Sequence, residues 1–535
     1  MDLDFLNVDG EEQTTLDEWP KTPDGRDWDG TQLLTLVRRG ESPFGGTWDV
    51  DSLVHEVEQS LGASIVDIPT VSFGANHYVF PRILSLNDFV KQMQATSKQL
   101  ADQTLRQGFY IKLADRPDVV ARLSRSDINS PGCHGSALTT TEPGKSLFEL
   151  AAYDVLRLLG GALGRSPLYY RGPVPSRPGR GYTAFAPPSP PPSASPSPLP
   201  ASSSLTPSIL GRCLFIFEKA PGERCDYVRW RSLKAEQKVR ICSATAKPCI
   251  PIPLTPSSPC LSYSGIEYFA SLFHTDSSQS CLLGQAAGLA ASLFRLRLPN
   301  DFASTWLLAR VLTPGIGDLC AVAVAPTRDF CAALLSAKVK STLLRLDRIN
   351  SNAASATALS STVHDSLMKL IPRVLPPASS GGDREAWLYR WVLDHGDFGI
   401  HNMTVALTGR GWPCITSVFD WEAGSIVPAL LSEPKMVVTA DLVIGDDGQP
   451  TVSRWGDGDD WSHMTEYRAW SHEYYKDLFA DAPEYEAAIR AGRDARHIWF
   501  ALRDMERGDA MAILAQLEVW AEAKLAELDA RGVRE

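Results

Sequence analysis

A short segment near residue 400 combines side chains that could bind a metal ion and orient a hydroxyl group. A His-Gly-Asp tripeptide ends at Asp397, Asn402 follows five residues later, and Asp420 lies in a Val-Phe-Asp-Trp-Glu stretch. Carboxylate and amide oxygens are hard ligands of the kind that Mg²⁺ takes, usually together with phosphate oxygens. A further carboxylate close by can orient an alcohol or accept its proton. The alternative is a structural turn that holds the same residues without chemistry.

The predicted secondary structure brings these side chains together. Residues 403–407 and 414–419 are predicted to be two strands joined by a turn at 408–411. Such an antiparallel pair returns the chain at Asp420 to the side of Asn402. Two metal ligands beside a carboxylate that faces a hydroxyl form the arrangement of phosphoryl transfer, in which the protein supplies positioning and charge neutralisation.

Composition and charge exclude several classes of protein. The chain has 535 residues and a formal net charge of −11, with 44% hydrophobic residues. The length predicts several domains, and the negative charge disfavours nucleic acid as a partner. No stretch reaches the roughly 18 uninterrupted apolar residues of a membrane helix, the N-terminus lacks the pattern of a signal or transit peptide, and the ten cysteines form no C-x-x-C pair. We therefore expect a reduced, cytoplasmic protein without a nucleic-acid or membrane partner.

The segment HGDFGIHN, followed by VFDWE, resembles the aminoglycoside phosphotransferase family of protein-kinase-like enzymes, and in particular its large fungal branch. The resemblance implies an α+β fold of two lobes, with a small antiparallel β-sheet in the N-lobe and a large helical C-lobe. It also implies ATP and Mg²⁺ as cofactors, with transfer of the γ-phosphate to a hydroxyl. By this match Asp397 is the catalytic base, and Asn402 and Asp420 are the metal ligands.

Further matches imply where the nucleotide binds. Gly74 and Asn76 fall where the family has its phosphate-binding loop, although a tight turn has the same composition. Arg122, on a predicted strand, takes the place of the phosphate-contacting lysine of protein kinases; the alternative is an edge-strand arginine whose head reaches water. Glu218 and Ala220 match the strand-to-hinge passage whose backbone binds adenine, and any buried strand leaving a sheet would look similar.

Two competing interpretations apply to Glu149. On a helix predicted over 146–159, it is the candidate for the carboxylate that pairs with Arg122. Alternatively, Ser146 and Glu149 form a capping box, in which the glutamate folds back to the Ser146 N–H.

Two histidines and one glycine flank Asp397. His395 is expected to brace the loop by hydrogen bonding rather than to titrate. His401 has no assigned role, and Gly399 stands where the family often has a histidine, two positions after the aspartate.

The chain is predicted to have three parts. Residues 1–62 form an N-terminal extension, of which the first 45 are expected to fold loosely over another part of the protein and 51–61 to form a helix closed by Gly62. Residues 63–217 form the N-lobe. Residues 218–535 form the helical C-lobe, with a hinge near 217–222 and the catalytic loop at 394–422.

Three stretches interrupt this order. They are a polar, helix-like insertion at 82–107, a Pro/Ser-rich loop at 173–210 and an insertion at 243–280. The Pro/Ser-rich loop has too little apolar surface to order itself. We interpret the first and the last as translated non-coding sequence or species-specific insertions.

Periodicity predicts the remaining elements. A hairpin is expected from two β-rich runs, 109–113 and 119–123, and a buried strand at 214–217. Helices are expected at 282–298, at 329–346, at 362–371 with a stop at Pro372, and from about residue 461, where Tyr467, Trp470, Tyr474 and Phe479 are spaced for a core-facing side.

Three functions remain open on the sequence alone. The favoured acceptor is a small molecule with a hydroxyl, because the segment between Trp421 and Asp441 lacks the Ala-Pro-Glu sequence of protein kinases. A catalytically weak pseudokinase or interaction scaffold is favoured by the few glycines of the nucleotide loop and by the Pro/Ser-rich insertion. A metal-dependent hydrolase would use His395, Asp397, His401 and Asp420 to bind Zn²⁺ or Mn²⁺ without nucleotide.

Overall fold

The computed structural model of the protein describes residues 20–45, 48–73, 106–124, 141–172, 212–225, 282–312, 322–349, 354–377, 386–445, 447–453, 463–505 and 509–532, together with Ile209, Trp230 and Leu233. Internal contacts divide the chain into two compact units. The first takes its described residues from Met1–Val79, Leu84–Gly144 and Pro167–Lys219, and the second from Lys145–Ser166 and Ala220–Glu535. The chain passes from the first unit to the second between Lys219 and Ala220, inside the predicted hinge at 217–222; the predicted lobe boundaries stay predictions.

A small antiparallel sheet forms the centre of the first unit, as predicted. Its strands, in the spatial order β1-β2-β3-β5-β4, are β1 (Ile65–Phe73), β2 (Arg106–Leu113), β3 (Val119–Ser124), β4 (Tyr169–Arg171) and β5 (Leu214–Glu218). The predicted hairpin is confirmed, with Phe109 opposite Ala121. Alternate residues of its strands, such as Phe109 and Ile111, are buried, because successive side chains of a strand point to opposite faces.

The acidic N-terminal segment covers this sheet from residue 20 onward, as expected, but it packs tightly there, so the expectation of a loose fold is wrong. Trp28, Phe44 and Trp48 are buried in the same core as Phe109. The Phe44 and Trp48 rings stack with their centroids 4.7 Å apart. Large aromatic side chains bury enough apolar surface to order a segment whose overall composition is polar.

Two helices precede the sheet in the first unit, α1 (Leu33–Arg38) and α2 (Val50–Leu61). The helix predicted at 51–61 is confirmed as α2. It begins after Asp49, whose carboxylate accepts hydrogen bonds from the N–H groups of Asp51 and Ser52, and it ends at Gly62 with a φ of 61°. An oxygen cap at the start and a left-handed glycine at the end satisfy the backbone groups that a helix terminus leaves unpaired.

The second unit is mainly helical, as predicted. Its helices are α3 (Thr141–Leu156, from Lys145 on), α4 (Leu282–Arg295), α5 (Asn300–Val311), α6 (Arg328–Ile349), α7 (Ala354–Val374), α8 (Met464–Asp481), α9 (Pro483–Ala491), α10 (Arg493–Asp504) and α11 (Ala510–Ala530). The predicted aromatic face of α8 is confirmed at Trp470 and Tyr474, which are buried. None of the helices in the described ranges is long and apolar enough to cross a bilayer.

The prediction that Pro372 stops a helix is wrong, because α7 continues to Val374. Proline lacks the N–H that would donate to the Met368 carbonyl, but only two helical residues follow it, so the helix ends shortly after the proline rather than at it. The carbonyl of Pro372 also accepts a hydrogen bond from the Arg328 guanidinium, which satisfies a backbone group at this helix end.

Short antiparallel strands in the second unit carry the candidate site. One pair joins β7 (Trp391–Asp394) to β10 (Ser425–Pro428), and a three-stranded sheet contains β6 (Glu223–Arg224), β8 (Met403–Leu407) and β9 (Pro413–Val418). A further sheet contains β11 (Met436–Val437), β12 (Asp441–Ile444) and β13 (Pro450–Ser453). The strand pair predicted at 403–419 is thereby confirmed as β8 and β9.

Candidate active site

The loop that follows β7 holds Asp397 at a fixed place in the second unit. Asp394, the last residue of β7, pairs with Ser425 of β10. The chain then turns at Gly396, which has a φ of 77° and whose absent Cβ would lie 2.1 Å from the carbonyl oxygen of Ala423. Only glycine fits a left-handed residue pressed so closely against backbone, so this glycine sets the direction in which Asp397 leaves the strand.

Two side chains hold the Asp397 carboxylate. His401 Nε2 lies 3.0 Å from Asp397 Oδ2, and Asn402 Nδ2 donates to the same oxygen at 3.0 Å and to the Asp397 carbonyl at 3.0 Å. Burial by itself raises the pKa of Asp397, but the hydrogen bond and the charge of His401 outweigh it, so the pKa lies below its usual value. The carboxylate is therefore ionised at neutral pH and accepts hydrogen bonds.

Asn402 presents a buried amide oxygen that has no hydrogen-bond partner among the described residues. Its side chain is almost completely buried, and its Nδ2 is engaged by Asp397. The Asn402 carbonyl accepts a hydrogen bond of 3.0 Å from Phe419 N, which places the returning strand directly beside it. A buried amide oxygen without a donor is costly unless a cation or another ligand satisfies it.

The β8–β9 hairpin returns the chain to this point, with Met403 opposite Val418. Asp420 follows with φ 71° and ψ 57°, a left-handed conformation that is uncommon for a residue other than glycine. Its backbone N–H donates to the Tyr153 hydroxyl of α3 at 3.3 Å, and that hydroxyl lies 3.2 Å from Glu149 Oε1. Strained backbone of this kind is concentrated at functional sites, where the surrounding contacts hold it.

His395 braces the same turn, which confirms its expected role. It is buried, its Nε2 lies 3.0 Å from the Phe419 carbonyl, and its ring centroid is 4.4 Å from that of Trp421. Burial lowers the pKa of His395, so the imidazole stays neutral and donates to the carbonyl.

His401 is the residue of the site that the sequence did not explain. Besides its bond to Asp397, its carbonyl accepts a hydrogen bond of 2.6 Å from Arg224 Nε. A Cβ at residue 399 would lie 2.7 Å from Cε1 and 2.8 Å from Nδ1 of the His401 ring. The glycine at 399 therefore leaves room for a histidine that reaches Asp397 from position 401. The spacing of four residues between Asp397 and His401 was the only feature of the sequence that could have indicated this contact.

Three carboxylates meet beside Asn402. One oxygen from each of Glu149, Asp420 and Glu422 lies within 4.8 Å of the others. Within the described part of the chain, this is the group of side chains that could hold a metal ion, and it contains no histidine. The hydrolase set of His395, Asp397, His401 and Asp420 is therefore not assembled as a metal site, because both histidines direct Nε2 to protein oxygens.

A cleft of about 180 Å³ in the second unit opens at Asp397. Its lining includes Asp394, Phe398, Glu433, Lys435 and Arg503. Two of the wall's charged side chains are held in ion pairs: Arg503 binds Glu433, and Lys435 binds Asp441 at 2.5 Å. The wall therefore combines fixed ion pairs with the Asp397 carboxylate, which suits a small polar molecule.

The predicted nucleotide contacts are distributed as follows. Gly74 and Asn76 lie outside the described residues. Arg122 lies on β3 opposite Phe215, Glu218 is the exposed last residue of β5, and Ala220 is buried just beyond it.

The capping-box interpretation of Glu149 is wrong. Helix α3 begins at Thr141, so Ser146 lies inside the helix and is buried rather than at its N-terminus. Glu149 is fully buried and contacts the Tyr153 hydroxyl one turn along the helix. Arg122 and Glu149 belong to different units, and their pairing stays a prediction.

Comparison with known proteins gives structural similarities only. No family model matches the chain, and no curated protein matches it. The solved macrolide 2'-phosphotransferase MphH from Brachybacterium faecium, as apoenzyme, is similar with a TM-score of 0.31 and 13% identity, over 88% of this chain and 97% of that one. A macrolide 2'-phosphotransferase type I is similar with a TM-score of 0.27 and 12% identity, over 82% of this chain and 99% of the other.

Proposed function

We propose that this protein is an ATP- and Mg²⁺-dependent phosphotransferase that moves the γ-phosphate to a hydroxyl of a small molecule. The observation that carries the proposal is the joint position of Asp397, Asn402 and Asp420. Asp397 lines the cleft, the Asn402 amide binds its carboxylate, and the hairpin brings Phe419, the residue before Asp420, to the Asn402 backbone carbonyl.

Asp397 is the proposed base. Both described hydrogen bonds to its side chain end at Oδ2, so Oδ1 is the oxygen for the acceptor hydroxyl. As the hydroxyl oxygen bonds to the γ-phosphorus, the bond from phosphorus to the β–γ bridging oxygen breaks and ADP leaves with that electron pair. The hydroxyl proton passes to Asp397 and then to water. The carboxylate orients the nucleophile first and receives its proton late.

Asn402 and Asp420 are the proposed metal ligands. The buried Asn402 Oδ1 without a described partner, together with the Asp420 carboxylate, is a donor set that suits Mg²⁺. Bound there, Mg²⁺ neutralises charge on the β- and γ-phosphates. Arg122, Gly74 and Asn76 are the proposed phosphate contacts, and the backbone near Glu218 and Ala220 is the proposed adenine contact.

A small acceptor is favoured over a polypeptide. After Glu422 the chain turns directly into the core, where Ile426, Val427 and Leu430 are buried. No exposed segment on which a peptide could lie follows the metal-binding aspartate in the described residues 423–445. The cleft, with a volume of about 180 Å³, has room for part of a small molecule.

The test is a phosphorylation screen with the full-length protein. Mg-ATP is incubated with pools of hydroxylated small molecules, and both ADP release and the phosphorylated product, by mass spectrometry, are followed. We expect Asp397→Asn to lower product formation about 10²- to 10⁴-fold while leaving nucleotide affinity near that of the wild type. Glu522→Gln on the exposed face of α11 is the matched control.

Two results would overturn the proposal. Full transfer activity in Asp397→Asn would exclude Asp397 as the base. Nucleotide binding with no phosphorylated product from any pool would instead indicate the pseudokinase or scaffold with the same fold.

A further inference from the structure

Glu149 and Glu422 lie at the proposed metal site although the sequence assigned neither of them to a metal. Glu149 comes from α3 and Glu422 from the turn after β9, and each has a carboxylate oxygen within 4.8 Å of the other and of Asp420. Glu149 is fully buried and Asp420 nearly so. Ligand oxygens on one Mg²⁺ or Ca²⁺ lie about 2.0–2.6 Å from the ion. Oxygens bound to one ion are thus at most about 4–5 Å apart, and the three carboxylates satisfy this limit.

Local contacts hold the three carboxylates in this arrangement. The Tyr153 hydroxyl links Glu149 to the backbone N–H of Asp420, at 3.2 Å and 3.3 Å. Arg310 donates to the carbonyls of Glu422 and of Gly424, the latter at 2.8 Å, and its guanidinium lies 4.6 Å from the centre of the Phe148 ring. Phe148 precedes Glu149 on α3, so one arginine connects the helix to the turn that carries Glu422.

A separate observation points to a ligand at this place. Asn402 Oδ1 is buried and has no hydrogen-bond partner among the described residues. Asn402 Nδ2 is turned to Asp397, and the Asn402 backbone carbonyl accepts a hydrogen bond of 3.0 Å from Phe419 N, the residue before Asp420. A buried hard oxygen acceptor is therefore carried by a residue that contacts the turn bearing Asp420.

We propose that Glu149 and Glu422 complete, with Asp420 and Asn402, a divalent-cation site that binds Mg²⁺ or Mn²⁺ without nucleotide. The inference rests on the proposed function for the roles of Asp420 and Asn402. Asn402 and Asp420 alone supply one negative charge and would need the phosphates of ATP to complete the coordination. Three carboxylates and an amide supply four protein ligands, so the cation is held before nucleotide arrives.

The experiment measures Mn²⁺ binding to the full chain in the absence of nucleotide, by electron paramagnetic resonance of the free ion. We expect one bound Mn²⁺ in the wild type. Glu149→Gln and Glu422→Gln should each weaken this binding at least about tenfold, since each removes a charged ligand from a hard cation. Glu522→Gln should bind Mn²⁺ as the wild type does. Mn²⁺ should also raise the Tm of the wild type and not that of the two site variants.

The outcomes separate this inference from the proposed function. Absence of Mn²⁺ binding without ATP, with binding restored by ATP, would refute the roles of Glu149 and Glu422 and leave the phosphotransferase intact. Mn²⁺ binding without any phosphotransfer would retain the site and refute the proposed function. If Glu149→Gln does not fold, Glu422→Gln decides alone, because Glu422 is partly exposed; unchanged affinity in that variant would overturn the inference.

Discussion

At the level of single residues, the site depends on how the Asp397 carboxylate is held. His401 and Asn402 both bind Oδ2, so the carboxylate cannot rotate without breaking two hydrogen bonds. Rigid positioning of a base contributes to catalysis because the reacting geometry is prepared before the substrate arrives. His401 is a positioning residue in this arrangement, since it acts through Asp397.

The pH dependence of the reaction tests the role of His401. The hydrogen bond and charge of His401 lower the pKa of Asp397, and the proposed role of Asp397 as base requires the ionised carboxylate. In His401→Phe that pKa rises, so activity should be lost at a higher pH on the acid side than in the wild type. The measurement is kcat/KM against pH for both proteins.

His472→Phe is the matched control, because His472 is an exposed histidine on α8. It should keep the wild-type profile. If the fall of kcat/KM at low pH occurs at the same pH in His401→Phe as in the wild type, His401 has only a structural role, even if kcat is lower.

At the level of elements, one phenol connects a helix to the hairpin turn. The Tyr153 hydroxyl of α3 contacts both Glu149 and the N–H of Asp420. The two ends of the second contact are 267 residues apart in the chain. The left-handed backbone at Asp420 is thus held by a helix that precedes it by half the sequence.

Tyr153→Phe tests this connection. The substitution leaves the buried N–H of Asp420 without its acceptor, so we expect it to lower the free energy of unfolding by about 1–3 kcal/mol. Tyr474→Phe is the control, because the buried Tyr474 hydroxyl has no hydrogen-bond partner in the described part of the chain; its removal should be neutral or stabilising. The free energy of unfolding of both variants is measured by urea titration. Equal losses of stability in Tyr153→Phe and Tyr474→Phe would contradict the assigned contact.

At the level of the whole molecule, the wall of the cleft contains two ionisable carboxyl groups, Asp394 and Glu433, that make the stability of the fold depend on pH. Burial raises the pKa of Asp394 to about 8; at the half-buried Glu433 burial also raises the pKa, but the charge and hydrogen bond of Arg503 outweigh it, so that the pKa is lowered. The positive charges of Arg496 and Arg503 act on both Asp394 and Glu433. The Glu433 N–H donates to Asp394 Oδ2 at 3.1 Å. The folded protein therefore keeps a proton on Asp394 at neutral pH, whereas the unfolded chain releases it.

The sign of the resulting pH dependence follows from the raised pKa. Between about pH 4 and about pH 8 the folded state binds more protons than the unfolded state, so this group makes stability fall as pH rises, by up to about 1.4 kcal/mol per pH unit. Asp394→Asn, which keeps an acceptor for Glu433 N–H, should remove that slope. Guanidinium unfolding at several pH values makes the measurement, with the exposed Asp115→Asn as control; an unchanged slope in Asp394→Asn would refute the assignment.

Local sequence was sufficient to predict many of the helices and strands, including the hairpin of the candidate site. The alternating strands at 109–123, the capped helix α2 and the β8–β9 pair were all predicted. These features depend on residues close in sequence, through hydrogen-bond ladders, caps and turn residues. The return of the chain to Asn402 just before Asp420 was predicted for the same reason, because a hairpin fixes which residues become neighbours; the chemistry of these residues stays a proposal.

Tertiary packing decided what spacing could not indicate. The side chain of Glu149 could have capped its own helix, but α3 starts earlier and places it among the carboxylates of Asp420 and Glu422. The role of His401 became visible once the turn at Gly399 brought its ring to Asp397. Such contacts join elements that are distant in the chain, and their geometry results from the packing of the whole core rather than from any local pattern.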